Sequence, residues 1–575
     1  MLLVHGPRST TYDFGPGHPL TPRRFGPGID LLRAVGAEPG LAPEPAPDDE
    51  LLWCHTQSYI DIVRAFSTDP FGMQAAGIAE GGDVPPFAGM HEASAAVAGG
   101  SLRAVEAILR GDTEHAFHPG GGLHHAMPGR ASGFCVYDDP ALAIARARQD
   151  GLRVLYVDFD VHHGDGVQAI HASDPGVLTL SFHETGRYLF PGTGEVDELG
   201  EGPAAGTSLN VPFQPGAGEG PWLAAIQSLL PEVAAAFAPD LVVSQHGADS
   251  HAFDPLAHLR VTTTAMGEAA RLVDVIAHRY AGGRWLATGG GGYDVYRVVP
   301  RMWSLVWLAG AHREVPDAIP DAWRERWAAD GARYGQAPLP ERFVDPPNAG
   351  FLLDASQMAA ETHSAETAAL VRRVVVPALL REARDRGWWD PLATPRTGQE
   401  TPDDRPADAI SSPALVADID LATWESLSLA ASVIAPASAS DGHRLVAAGL
   451  RDGLRATVAV AGTTVVGAAL SRGEPGSGRA DLLALGVAQK WRRRGLATRI
   501  LAAHVQTIGT DTDLDTVLTV AERDPLDPLD GGLRRDIARR ILTKAGFEIG
   551  SAVAPVRAAD PAAFAARRHR GAPSS

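Results

Sequence analysis

Cysteine is nearly absent from this sequence: Cys54 and Cys135 are the only two among 575 residues. Two thiols cannot build a disulfide framework or a thiolate zinc knuckle, and such sparing use fits a reducing, cytoplasmic setting. Lysine is equally scarce. Lys490 and Lys544 stand alone, so arginine carries nearly all the positive charge, as genomic composition bias would produce. An excess of positive charge is missing too. The net charge of −19 argues against a general nucleic-acid binder, whose affinity needs a basic surface. Long apolar runs are absent, and the start MLLVHGPRSTTYDFG has no signal-peptide core, so no membrane partner is expected. No tandem repeat is visible. What remains is a globular composition, 45% hydrophobic and 21% charged, in a chain long enough for two or more domains.

From the start to residue 310, short apolar strands alternate with glycine-rich turns and helices. RVLYVDFDV, GVLTLSFH, DLVVSQHGAD and RWLATGGGGY are the strands, and GEAARLVDVIAHRYAG reads as a helix between the last two. Such alternation implies an α/β unit with a mainly parallel sheet and helices on both faces. Ligands then bind beyond the carboxyl ends of the strands, where Asp160, His162, His183, Asp249 and Tyr293 stand. TAALVRRVVVPALLREARDRG, residues 367–387, reads as a helix closing this unit. Residues 389–413, rich in Pro, Asp and Thr, read as a linker. A smaller mixed α/β unit follows over 414–575. It shows a hairpin (RATVAVAGTTVVGAAL), a strand (DLLALGV), a basic loop leading into a helix (KWRRRGLATRILAAHVQTI), then strand (DTVLTVAE), helix (RRDIARRILTKAG) and strand (FEIGSAV).

LYVDFDVHHGDG, residues 155–166, places Asp158, Asp160 and His162 at alternate positions of an apolar strand, hence on one face. Carboxylates held together in an apolar setting are costly unless neutralised. A divalent cation would neutralise them. Asp160 and His162 can reach one ion, and Asp249 in HGADSHAFDPL is the candidate third ligand. Such a set leaves a position open, as catalytic zinc sites do. A lone aspartate would more often cap a helix. PGGGLHHAMPG adds His124 and His125, a pair suited to acid–base work. Asp158 and Asp165 are the carboxylates available to fix their tautomers. GGGGY brings Tyr293, a phenol able to stabilise an oxyanion. His163 has no evident task.

GLHHA, SGFCVYDDPALA, VLYVDFDVHHGDGVQ, LSFH, LFPGTG, HGADSHAFDPL and GGGGY follow the order seen in zinc-dependent histone deacetylases. With GDVPPFAGMHEASAAVAGG, residues 1–388 most resemble the bacterial acetoin-utilization branch of that family. The resemblance implies a three-layer α/β/α fold of the arginase/deacetylase type. It implies zinc, or ferrous iron in its place, on Asp160, His162 and Asp249. His125 would be general base and acid, oriented by Asp165, with His124 its electrostatic companion, paired with Asp158. Tyr293 would hold the acetyl oxygen. Phe134 and Phe190 would wall a channel, with the Gly133 carbonyl in it and Leu256 at its mouth. Asp83 would hold substrate backbone amides and Arg24 would flank an acetate exit. A potassium ion is implied near Asp158, Asp160, His162, Ser181 and Phe182. Leu189 stands where some relatives carry a second aromatic.

LLALGV followed by QKWRRRGLATRIL is similar to the acetyl-CoA loop of GNAT acetyltransferases, with Arg492, Gly495 and Ala497 as the motif. Val487, Arg493, Arg494, Leu496 and Thr498 surround it. Backbone N–H groups at a helix start suit a pyrophosphate. Leu542 stands where that family often has a catalytic tyrosine, so acetyl-CoA binding is better founded than transfer. The expectation is a cytoplasmic deacetylase of acetylated protein substrates joined to an acetyl-CoA-binding unit, the two opposing each other on one target such as an acyl-CoA synthetase. The rival is an acetylpolyamine amidohydrolase with an acetyl-CoA sensor. Oligomeric state is not legible.

Overall fold

The computed structural model describes residues 1–71, 74–346 and 355–386. Beyond them it describes 414–416, 420–425, 428–429, 446–451, 454–461, 464–473, 479–487, 496–508, 513–519, 538–539, 541–543, 547–549 and 563–568. The chain divides into two units, Met1–Trp388 and Trp389–Ser575. The linker expected over 389–413 lies outside the described residues.

The first unit is built on eight strands: β1 (Leu2–Val4), β2 (Pro39–Leu41), β3 (His115–His118), β4 (Val154–Asp158), β5 (Val177–Glu184), β6 (Ser208–Phe213), β7 (Leu241–Gln245) and β8 (Trp285–Thr288). They form one sheet in the order β2-β1-β3-β8-β7-β4-β5-β6, and every pairing is parallel. Parallel strands need crossovers, and the crossover helices cover both faces. On one side, helices Gln57–Thr68, Met90–Arg110 and Asp139–Gln149 share a core with Ala116, Val154, Tyr156, Val243 and Leu286. Leu155 and Val157 point the other way and are equally buried. Helices Glu219–Phe237, Thr263–Tyr280 and Val299–Gly310 pack in series. Burial on both faces explains why the central strands read as continuous apolar runs rather than alternating ones.

Local chemistry sets the helix starts. Asp138 accepts the Ala141 N–H at 2.8 Å and Thr262 accepts that of Ala265 at 3.3 Å, each satisfying a donor that the first turn leaves unpaired. The closing helix runs from Ala355 to Asp385, beginning earlier than the apolar stretch that announced it. Strands β1, β2, β3 and β6 were not announced: three are only three or four residues long, and β6 contains Asn210 and Pro212.

The second unit carries β9 (Ala414–Val416), β10 (Ser428–Leu429), β11 (Leu454–Ala461), β12 (Thr464–Gly473), β13 (Arg479–Val487), β14 (Asp513–Thr519), β15 (Glu548–Ile549) and β16 (Ala563–Arg568). β11, β12 and β13 form an antiparallel meander, while β13 pairs parallel with β14 over Arg479–Asp481 and Asp513–Asp515. Helix Leu496–Ile508 contributes Ile500, Leu501 and Val505 to a core with Val458, Ala468 and Leu482.

Candidate active site

β4 ends at Asp158, so Asp160 and His162 are not strand residues and their shared face does not come from the strand pleat. Two successive turns bring them together instead. Asp158 Oδ1 accepts the Asp160 N–H at 3.1 Å, and Asp160 Oδ1 accepts the His162 N–H at 3.1 Å. Each aspartate thereby curls the chain around its own carboxylate.

Asp249 enters from the loop after β7. The ligand atoms of Asp160, His162 and Asp249 all lie within 4.8 Å of one another. His162 Nδ1 is 3.1 Å from Asp160 Oδ1 and 3.2 Å from Asp249 Oδ2. Donors on a tetrahedral ion with bonds of about 2.0–2.2 Å stand about 3.3–3.6 Å apart, a few tenths of an ångström beyond both separations. Asp249 Oδ2 is buried without a hydrogen-bond partner, whereas its Oδ1 accepts the Val161 N–H at 3.0 Å. Burial, followed by the Asp160 charge, pushes Asp249 up to about 6. Burial alone would lower His162, but the two carboxylates outweigh it and raise the imidazole to about 10. The three groups together attract positive charge strongly, and two carboxylates with one imidazole suit a divalent metal.

Further donors fix the ligands. Gln245 Nε2 donates to Asp160 Oδ2 at 2.6 Å, as does the Gly291 N–H at 2.8 Å. Gln245 also accepts the Gly247 N–H at 2.7 Å. A Cβ on Gly247 would overlap the Asp160 carboxylate, so glycine there is a matter of space.

The adjacent histidines are each held by one carboxylate. His124 Nδ1 lies 2.7 Å from Asp158 Oδ2, and His125 Nδ1 lies 2.6 Å from Asp165 Oδ1. Their ring centroids are 4.0 Å apart. Asp139 accepts the Gly122 and Leu123 N–H groups, and the His124 carbonyl accepts that of Gly166 at 3.0 Å, which pins the loop. The environments diverge. Burial would lower His124, yet Asp158 and Asp160 outweigh it and raise it to about 10. His125 is lowered to about 4 by burial and by the neighbouring His124 charge. Tyr156, which the sequence reading did not single out, donates its hydroxyl to Asp158 Oδ2 at 2.7 Å.

Phe134 lies edge-on to Tyr293, with centroids 6.0 Å apart, and Phe190 lies edge-on to His125 at 5.0 Å. Phe190 remains 39% exposed, which puts it at an opening. The Gly133 carbonyl accepts from Cys135 Sγ at 3.2 Å. Asp254 accepts the Tyr293 and Leu256 N–H groups at 2.8 and 3.0 Å, joining the phenol's backbone to half-buried Leu256. Burial, reinforced by the charges of Asp249 and Asp160, raises the Tyr293 phenol well above its ordinary value, so it stays a donor. Arg24 is buried and donates to the Gly290 carbonyl at 2.7 Å. Asp83 is exposed, its carbonyl 3.3 Å from His18 Nε2, and the His18 ring lies against Phe134. Ser181 stands beside Asp158 in the sheet and its Oγ is 2.8 Å from His183 Nδ1. Phe182 is fully buried. His163, unassigned from sequence, sits between Thr193 Oγ1 at 2.9 Å and Gln168 Oε1 at 3.0 Å, tying the metal loop to the LFPGTG segment.

In the second unit, Val487 ends β13, and Leu496, Ala497 and Thr498 open the next helix. Arg492, Arg493, Arg494 and Gly495 lie outside the described residues. Leu542 is fully buried in that unit's core.

The sequence signature of the histone deacetylase domain matches residues 18–309. The acetoin utilization protein AcuC of Bacillus subtilis (strain 168) is 42% identical over 357 residues, covering 60% of this chain and 90% of that protein. AcuC of Staphylococcus xylosus is 36% identical over 342 residues, covering 58% and 88%. Among solved structures, an HDAC homologue complexed with SAHA superposes with a TM-score of 0.55 at 27% identity, covering 64% of this chain and 99% of that one. An HDAC homologue from Aquifex aeolicus superposes with the same score and identity, covering 63% and 99%. The match of residues 18–309 to the histone deacetylase domain, with relatives up to 42% identical that are covered nearly end to end, shows that the chain belongs to the histone deacetylase family.

Proposed function

We propose that the first unit hydrolyses N-acetyl-lysine in proteins, releasing acetate. The carrying observation is the geometry of two adjacent histidines, each held at Nδ1 by its own carboxylate, beside a cluster of two carboxylates and one imidazole. Asp160, His162 and Asp249 would hold the zinc, or ferrous iron in its place. Such an ion, when bound, polarises a carbonyl and acidifies water. A carboxylate can only accept, so Asp165 holds the hydrogen on His125 Nδ1 and leaves Nε2 as the base. Lowered to about 4, His125 is unprotonated at neutral pH, takes the water's proton and returns it to the leaving amine. His124, raised to about 10, keeps its positive charge beside the developing oxyanion. The Tyr293 hydroxyl donates to that oxygen. Phe134 and Phe190 offer apolar walls to the lysine stem, and exposed Asp83, linked through His18 to Phe134, suits the backbone amides of a peptide. Potassium near Asp158 and Ser181 would add neutralising charge. Comparison of kcat/KM for acetyl-lysine peptides and acetylputrescine tests this reading. Peptide preference is expected; preference for the diamine would replace it with polyamine deacetylation.

We further propose that the second unit binds acetyl-CoA at the entry to helix Leu496–Ile508 and opposes the first unit on a shared target, an acyl-CoA synthetase being the candidate. Buried Leu542 supplies no proton at the position where a tyrosine would, which favours binding over transfer. Calorimetry with acetyl-CoA on the full chain should give a saturable Kd. Absence of binding would reject the assignment.

A further inference from the structure

At the other pole of the first unit, four side chains from three elements converge. His115 opens β3. Asp274 and His278 share one face of helix Thr263–Tyr280, one turn apart. His312 lies just beyond helix Val299–Gly310. One ligand atom from each lies within 4.8 Å of all the others. None of these residues touches the site described above, which lies past the carboxyl ends of the strands.

The hydrogen bonds define which nitrogens face inward. His115 Nδ1 is 2.7 Å from the Gly310 carbonyl. A carbonyl can only accept, so the hydrogen is on Nδ1 and a neutral His115 carries a lone pair on Nε2. That Nε2 is buried without a hydrogen-bond partner and points at Asp274 Oδ1, 3.6 Å away. Lone pair faces lone pair, an arrangement stabilised only by positive charge between them. The other separations agree. His312 Nε2 is 3.1 Å from both Asp274 Oδ1 and His278 Nε2, and His278 Nε2 is 3.6 Å from Asp274 Oδ1. These four distances lie within a few tenths of an ångström of the edge of about 3.3–3.6 Å expected for a tetrahedral zinc site. A histidine donating its far N–H to a backbone carbonyl is also how metal-bound imidazoles are oriented.

We propose that His115, Asp274, His278 and His312 form a second, structural zinc site. Four protein ligands close the coordination sphere, which marks a structural rather than a catalytic ion. The ion would pin the start of β3 to the ends of two helices. His115 and His278 side chains are 3% and 8% exposed, whereas His312 is 33% exposed, so an ion can enter from one side.

The test is zinc stoichiometry on the full chain, stripped with a chelator and reloaded with Zn2+ alone. Wild type should bind two equivalents, and Asp160→Ala one. A His278→Gln/His312→Gln double variant should bind one while still hydrolysing acetyl-lysine, an outcome that unfolding cannot produce. His312→Gln alone, at the exposed ligand, should weaken the second site at least about tenfold without changing hydrolysis, and it guards against a double variant that fails to fold. Co2+ loaded into Asp160→Ala should give tetrahedral visible bands that disappear when His278→Gln is added. A single equivalent in wild type would overturn the proposal. So would an equivalent in Asp160→Ala that survives His278→Gln and His312→Gln unchanged.

Discussion

Gly291 stands against Asp249: a Cβ built on the glycine would overlap Asp249 Oδ2, the carboxylate oxygen that has no hydrogen-bond partner. Gly290 and Gly292 have φ of +136° and +127°, but Gly291 is not among the positive-φ residues. A negative φ at 291 admits alanine, so what stands against it is the crowding by the Asp249 and Asp160 carboxylates, the two proposed metal ligands. Gly291→Ala should cut zinc affinity at the catalytic site by at least about 10–100-fold, measured by competition with a chelating dye. Thermal stability should change far less than metal content does.

Tyr293→Phe removes a donor without touching a ligand. Zinc content should stay at the wild-type value and KM should move little. The expected fall in kcat is about 10²–10³-fold, the usual loss for one oxyanion donor. A variant with full kcat would show that the phenol does not act in the transition state.

Asp165→Asn keeps the shape of the group that holds His125 but can present an amide donor where a carboxylate accepted. The imidazole tautomer is no longer fixed, and kcat should fall about 10²–10⁴-fold, the range spanned by general acid–base catalysis. The variant should also change the pH profile of kcat, not only its height, because the group that titrates has lost its partner. Scaling of the whole curve by one factor would point to a misplaced substrate instead.

Asp345 offers a stability test away from the chemistry. Its carboxylate accepts from Arg301 Nη1 at 2.7 Å, from the Thr263 N–H and hydroxyl at 2.9 and 2.7 Å, and lies 2.9 Å from His251 Nε2. Burial would raise it, but His251 and Arg301 outweigh burial and hold it well below the usual carboxylate range. A depressed folded-state value stabilises the fold above the unfolded value of about 3.9 and loses that contribution as pH falls below it. Asp345→Asn leaves the buried Arg301 charge uncompensated, which costs about 3–5 kcal/mol. The difference in Tm between wild type and variant should be full at pH 7 and shrink below about pH 4.

The candidate metal ligands and the two histidines stood out in the sequence because their residue types are grouped locally. D-x-D-x-H-H-G-D and H-H are short, and unusual residue types stand at fixed spacing. The reason given by the spacing was incomplete, however. Alternation in a strand suggested a shared face, whereas the strand stops at Asp158 and two carboxylate-centred turns make the face. His163 looked idle because one partner, Thr193, lies thirty residues on, and the other, Gln168, is brought to it only by the turn into helix Asp165–His171.

By itself the sequence determined the parallel α/β architecture of the first unit, since apolar runs buried on both faces and helical crossovers admit few other arrangements. It also determined the identity of Asp160, His162, Asp249, His124, His125 and Tyr293 as a related set. Only tertiary structure decided that Gln245 and Gly291 steady Asp160, that Tyr156 shares Asp158 with His124, and that His115, Asp274, His278 and His312 meet. Apart from Tyr156 with Asp158 and Asp274 with His278, the partners are separated by tens to hundreds of positions, so no single local motif holds both. Their meeting follows from strand order and from where each helix ends, which no short stretch of sequence encodes.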